Sequence, residues 1–185
     1  MAVQDRPRKL TTADFRALED LPENANRILE LIEGEVIEKI PRFVLSKLAA
    51  RIATYIGMYL LQNDIGHLTG ADGGYVISES DTFNPDVGYI SKERLPVLPE
   101  REVLVPPDFA VEVKSPTDTR RALRRKAEKY LESGTRLVWL VFPESRTVEV
   151  YVPDKDDVPK GMDEILDGGE VLPGFQLAVK DIFPD

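Results

Sequence analysis

Between Asp108 and Phe142 the sequence reads as strand, helix and strand in close succession, and this unit restricts the fold more than any other stretch. In Asp108–Lys114 the side chains Phe109, Val111 and Val113 alternate with Asp108, Ala110, Glu112 and Lys114, the period of a strand. Ser115-Pro116-Thr117-Asp118 is a turn with capping residues, Thr119–Ser133 has helical character, and Gly134 is a natural helix stop. Leu137–Phe142 is an unbroken apolar run, as a buried strand requires, and Thr147–Val152 alternates and returns beside it across Pro143-Glu144-Ser145-Arg146. Strands joined by a helical crossover predict an α/β (α+β) fold: a central mixed β-sheet flanked by helices.

The rest of the chain supplies more of the same layers. Its 185 residues suffice for one domain with a hydrophobic core, and 42% of them are apolar. Residues 1–10 read as a loose basic N-terminal arm, and Thr12 as the cap of a short helix ending near Leu21. Arg27–Ile40 predicts an N-terminal hairpin turning at Glu33-Gly34. Leu45, Leu48, Ala49, Ile52, Ile56, Tyr59 and Leu60 recur at helical spacing and predict one long helix over Phe43–Gln62. Gly70–Gly74 is a turn into a strand at Tyr75-Val76-Ile77. Phe83–Ile90 reads as a strand interrupted at Pro85, Ser91–Pro107 as a loop, and the acidic stretch 154–170 as another.

Composition narrows the chemistry. There is no cysteine and a single histidine, His67, placed just past a helical pattern. Disulfides, thiolate catalysis and cysteine or multi-histidine zinc sites are excluded, which leaves carboxylates, lysines, hydroxyls or a hard metal ion. No organic cofactor is expected, because Gly70–Gly74 has neither the spacing nor the lysine of a phosphate loop. No membrane association is expected, because Lys47 and Arg51 interrupt the longest apolar stretch and Met1–Lys9 does not resemble a signal peptide. A cytoplasmic location fits this reading. The net charge of −9 argues against whole-surface binding to nucleic acid. Charge is uneven, however: seven basic residues lie between Thr117 and Arg136 against three acidic ones. Of these, Arg120, Arg121, Arg124 and Arg125 are the best set for phosphate contacts, with a solvated helix face as the alternative.

Alternation places Glu112 and Lys114 on the strand face opposite Phe109, Val111 and Val113, about 6–7 Å apart along the strand. An ion pair at a sheet edge is one reading of such a pair. Asp86, 26 residues earlier and following Pro85, suggests another. If the two strands are neighbours, Asp86 and Glu112 can share one Mg²⁺, which takes carboxylate oxygens, water and substrate phosphate. Lys114 would then stabilise charge developing on the phosphate.

Pro85-Asp86 with Glu112-Val113-Lys114 resembles the PD-(D/E)XK nuclease superfamily. The longer segments Arg27–Val36, Asn84–Ile90, Pro106–Pro116, Lys126…Tyr130…Gly134…Val138-Trp139 and Leu172–Phe175 look like the Uma-two family of restriction-endonuclease-like proteins, over almost the whole chain. The resemblance implies a restriction-endonuclease-like core and a Mg²⁺-dependent (or Mn²⁺-dependent) endonuclease acting on DNA. Asp86 and Glu112 would be metal ligands, Glu30 a further metal ligand, Lys114 the catalytic lysine and Lys126 an auxiliary cation. A homodimer is expected, since cutting two strands takes two sites related by a two-fold axis. A nuclease directed at RNA and a non-catalytic nucleic-acid-binding or regulatory module remain as alternatives.

Overall fold

The computed structural model describes residues 9–155 and 157–183. Most of the expected N-terminal arm, residues 1–8, lies outside these; Leu10, at its end, donates its N–H to the Gly34 carbonyl at 2.9 Å. The first helix, α1 (Thr12–Glu19), is capped by Thr11 in a reciprocal box with Asp14, one residue before the expected cap. The expected hairpin forms from β1 (Ile28–Ile32) and β2 (Glu35–Lys39), paired antiparallel. Its turn carries positive φ at both Glu33 and Gly34, the geometry that suits the twist of a two-residue hairpin. Leu29 and Leu31 point to one face of β1 and pack with Phe15 of α1, which leaves Glu30 on the other face.

Helix α2 (Phe43–Gln62) is followed by β3 (Gly66–Thr69), β4 (Tyr75–Ser78), β5 (Asp81–Phe83), β6 (Val87–Ser91) and β7 (Phe109–Val113). Then come α3 (Arg120–Glu132), β8 (Leu137–Phe142), β9 (Thr147–Tyr151), β10 (Val158–Lys160), β11 (Ile165–Asp167), β12 (Gln176–Ala178) and α4 (Val179–Ile182). The main sheet is six-stranded in the order β10-β9-β8-β7-β6-β3. Only β7 and β8, joined through α3, run parallel in it. A four-stranded sheet, β2-β1-β5-β4, stands beside it, and β11 and β12 form a third.

The two faces of β7 go to different layers. Phe109, Val111 and Val113 join Leu48, Ala49, Ile52 and Ile56 of α2, with Trp139 and α4, in the larger core. Ala110 lies on the opposite face with Val138, Leu140, Leu123, Ala127 and Tyr130, beneath α3. By length and composition α2 could cross a membrane, but its apolar stripe packs on this sheet. Thr119 caps α3 by accepting the Ala122 N–H, and Gly134 follows with φ +106°, as the turn and stop residues predict.

Several expectations are corrected. Phe83–Ile90 is two strands in two sheets, because the chain crosses from β5 to β6 at Asn84-Pro85-Asp86. Pro85 has no N–H for a ladder, and Asn84 spends its own groups elsewhere: its side chain donates to the Leu29 carbonyl at 2.9 Å. His67 follows shortly after α2, as expected, and lies within β3 opposite Ile90. The acidic stretch contains β10 and β11, strands of three residues whose charged neighbours hide any alternation. The loop 91–107 is tied to the smaller sheet by Val103, which exchanges backbone hydrogen bonds with Gly74 and Val76 at 2.9 and 2.8 Å.

Candidate active site

The seam between the two sheets gathers charged side chains from five segments. Glu30 comes from the inner face of β1, and Lys39 from the end of β2 on that same face, two residues beyond Ile37, the partner of Glu30. Asp86 stands at the crossing into β6. Because Val87 pairs with Val111, Asp86 lies beside Glu112 of β7, meeting the condition that the two strands be neighbours. Lys126 and Tyr130 come from the inner stripe of α3, one helical turn apart. Glu30, Lys39, Asp86, Glu112 and Lys126 floor a cleft of about 700 Å³ whose walls include Ile37, Leu45 and Ala49.

Lys126 is the hub. Its Nζ donates to Glu30 Oε1 at 2.7 Å and Oε2 at 3.0 Å and lies 2.8 Å from Glu112 Oε1, which uses all three ammonium protons. Phe83 closes the site from one side, its ring centre 4.9 Å from Nζ. Tyr130 donates its hydroxyl to Glu112 Oε1 at 2.8 Å, and the Asn84 N–H donates to Glu30 Oε1 at 2.7 Å. Asp86 Oδ2 accepts the Val113 N–H at 2.7 Å, which pins the carboxylate against the end of β7. Its Oδ1 accepts from Lys39 Nζ at 2.9 Å; that ammonium lies 4.0 Å from Glu112 Oε2.

Three carboxylates against two ammoniums leave surplus negative charge in a poorly hydrated place, and Glu112, Lys126, Lys39 and Tyr130 all hold their protons more tightly for it. Burial pushes Glu112 up; Lys126 and Lys39 pull it back, Glu30 and Asp86 push again, and the outcome is raised. Burial pulls Lys126 down, but the Glu112 and Glu30 carboxylates outweigh it and hold the ammonium above the ordinary lysine value. Lys39 is raised in the same way, against burial, by Glu112, Glu30 and Asp86. Burial, then Glu112 and Glu30, lift the Tyr130 hydroxyl well above its usual range.

The structure brings together Asp86, Glu112, Glu30 and Lys126, and does not bring Lys114 to them. The Lys114 ammonium pairs with Glu144 of the β8–β9 turn at 2.9 Å and with the Ser115 carbonyl at 3.1 Å. Alternation puts Lys114 on the expected face, but β8 pairing carries that turn alongside it. Glu30, expected as a further ligand, accepts from Lys126 through both oxygens, and among the described residues no three acidic or histidine side chains are grouped to hold a metal. What remains for a hard cation is one oxygen from Asp86 and one from Glu112, both facing the Lys39 ammonium while their other oxygens are locked. Two hard carboxylate oxygens beside an open cleft fit Mg²⁺, which completes its shell with water and phosphate.

The four arginines are mostly engaged. Arg124 grips buried Glu149 through two bonds, at 2.7 and 3.0 Å, and Arg120 adds a third at 3.2 Å. Arg125 pairs with Glu33, and Arg121 is exposed. Asp108 is fully buried and receives Arg94, Arg136 and the Ser91 N–H, which anchors the start of β7. Sequence reasoning missed Lys39 at the site altogether, although the hairpin register implied by Glu33-Gly34 puts it on Glu30's face.

The main sheet is mixed, with α2 on one face and α3 on the other, and the acidic–basic cluster lies at its seam with the smaller sheet. A solved structure described as "a putative nuclease belonging to DUF820 from Anabaena variabilis ATCC 29413" superposes with a TM-score of 0.81 at 23% identity, covering 94% of this chain and 97% of that one; at this identity the likeness shows the fold. The chain belongs to the Uma2 family, described as "Putative restriction endonuclease", whose sequence model matches residues 12–180. No curated protein matches the chain.

Proposed function

We propose that this protein is a Mg²⁺- or Mn²⁺-dependent endonuclease that hydrolyses phosphodiester bonds of DNA in the cleft at the sheet seam. The observation that carries this reading is the pair of oxygens, Asp86 Oδ1 and Glu112 Oε2, both facing one cation at the cleft floor. These two residues would hold the metal, which when bound supplies Lewis acidity, favouring loss of a proton from water and offsetting charge on the phosphate.

The chain's own groups prepare that site. The Val113 N–H orients Asp86, and Tyr130 with Lys126 orients Glu112. Glu30, itself held by the Asn84 N–H, holds Lys126 in turn, so the acidic pair rests on a hydrogen-bonded platform. Lys126 is a positioning residue: its ammonium bonds Glu30 and Glu112 and holds the metal-binding carboxylate in place. The apolar wall of Ile37, Leu45 and Ala49 limits water beside the reacting group. Arg42, Arg125 and Lys129 also line the cleft, Arg125 paired with Glu33 and Lys129 with Asp81, so a substrate phosphate would compete with those carboxylates for them.

A second reading has its own observation. Each carboxylate already has a lysine partner, Lys39 or Lys126, as a metal-free binding module would need. Cleavage of supercoiled plasmid, linear duplex, single-stranded DNA and RNA, each with Mg²⁺, Mn²⁺ or EDTA, separates the two. Metal-dependent cutting that D86N and E112Q both reduce to background supports the enzyme. Tight binding without cutting by the wild type favours the module, and cutting confined to RNA changes the substrate. Light scattering checks the homodimer that double-strand cutting calls for.

A further inference from the structure

The two lysines of the cluster stand in different situations. Lys126 is 9% exposed and bonded to three carboxylate oxygens, so it is built in. Lys39 is 23% exposed, opens on the cleft, and touches one carboxylate oxygen of Asp86 and the Asn84 carbonyl at 2.7 Å, with Glu112 Oε2 farther off at 4.0 Å. It is the last residue of β2, followed by Ile40 and Pro41 outside the ladder. Its stem is a flexible four-carbon chain ending in a compact charge, free to swing into a cleft of about 700 Å³. All three of its oxygen neighbours are the kind a hard divalent cation takes, and two of them are the oxygens the proposed function assigns to the metal.

We infer that Lys39 is a built-in competitor for the metal: its ammonium holds the position between Asp86 and Glu112 that a divalent cation would take, and leaves it when the metal enters. This rests on the metal-binding reading above. The physical reason is charge. A dication and an ammonium cannot both lie within contact of the same two oxygens in a half-buried site without strong repulsion, whereas either alone is attracted to them, the dication more strongly. Lys39 therefore sets how tightly the site takes a metal. It keeps the acidic pair folded and compensated without one, and Lys126, held on its far side by Glu30, stays in place throughout.

The test is Mn²⁺ binding to the full chain, followed by the paramagnetic signal of free Mn²⁺ and by calorimetry, with no substrate present. K39M and K39Q should bind Mn²⁺ about tenfold tighter than wild type or more, the order expected for removing one unit charge a few ångströms from the ion. K39R, which keeps the charge, should stay near wild type, and D86N should lose binding. Wild-type binding that D86N abolishes, with K39M and K39Q no tighter, overturns the role of Lys39 and leaves the metal site standing. No Mn²⁺ binding by wild type or by the Lys39 variants overturns the metal-binding reading itself. A second measurement keeps the charge of Lys39. The ¹³Cε resonance of Lys39, assigned by its loss in K39R, should move on saturation of wild type with Mg²⁺ and stay put in D86N. A resonance that stays put while Mg²⁺ binds overturns the displacement.

Discussion

Glu112 and Glu149 lie in one row across the main sheet, separated by Leu140, which pairs with both. Helix α3 spans this row and lends cations to each end, yet the two carboxylates are driven in opposite directions. Burial would raise Glu149, but the Arg124 and Tyr151 bonds and the Arg120 charge outweigh it and hold it below the usual range. Glu112 shares its ammoniums with Glu30 and Asp86, so burial wins and it is raised. The same local design, a strand glutamate under a basic helix, gives a structural clamp where cations are in excess. Where carboxylates are in excess it gives a strained acidic pocket. Surplus charge of one sign, held dry, is what a binding site for the other sign requires.

The largest effect expected from this contrast is at the inner end. Lys126→Met leaves Glu30 and Glu112 without their shared cation and should cost roughly 3–5 kcal/mol in urea unfolding, as for other buried pairs that lose one partner. Because the folded value of Lys126 is raised, its contribution is fully present below the ordinary lysine value of 10.5 and is lost as pH rises through the folded value. The gap between wild type and variant should therefore close in the alkaline range above that point. A loss no larger than at the outer end would erase the distinction between the two clusters.

At the outer end, Glu149→Gln should cost about 1–2 kcal/mol, since both arginine heads are half exposed and screened. The folded value of Glu149 is lowered, so its contribution is present above the ordinary 4.5 and fades as pH falls through the lowered value. The variant should lose less stability than wild type on acidification below that range. The same substitution frees Arg120 and Arg124, and filter binding to duplex DNA should tighten. Weaker binding would mean that the arginines contact phosphate only while Glu149 orients them.

Tyr130→Phe removes one of the two donors on Glu112 Oε1 and should cost about 1 kcal/mol in the same unfolding assay, with Lys126 still holding the carboxylate. The smallest effect belongs to Lys114, whose partner Glu144 is in water. Lys114→Ala should leave stability unchanged within error and DNA cleavage within a few-fold of wild type. A loss of cleavage matching that of D86N would return Lys114 to the site.

How far the residues could be read in advance varies with the range of the interaction that places them. Glu112 was legible because alternation along Phe109–Val113 is a local property of the chain. Asp86 was legible as a candidate from the proline before it, but its approach to Glu112 waited on β6 pairing with β7. Glu30 was known as an acidic position and took a different task, because α3 delivers Lys126 to both of its oxygens. Lys114 satisfied every local rule and still went to Glu144, since the β8–β9 turn that carries Glu144 arrives through pairing of distant strands.

The sequence by itself determined the layers: the hairpin, the long helix, the capped α3 between two buried strands, and the lack of any thiol or multi-histidine chemistry. Those follow from periodicity, caps and composition, which act over a few residues. Only the tertiary structure decided which cations meet which carboxylates. An ammonium on a four-carbon stem can reach any acceptor the fold brings within range, and Lys39, Lys126 and Lys114 were sorted between the cleft and its rim by strand order and by the crossing at Pro85.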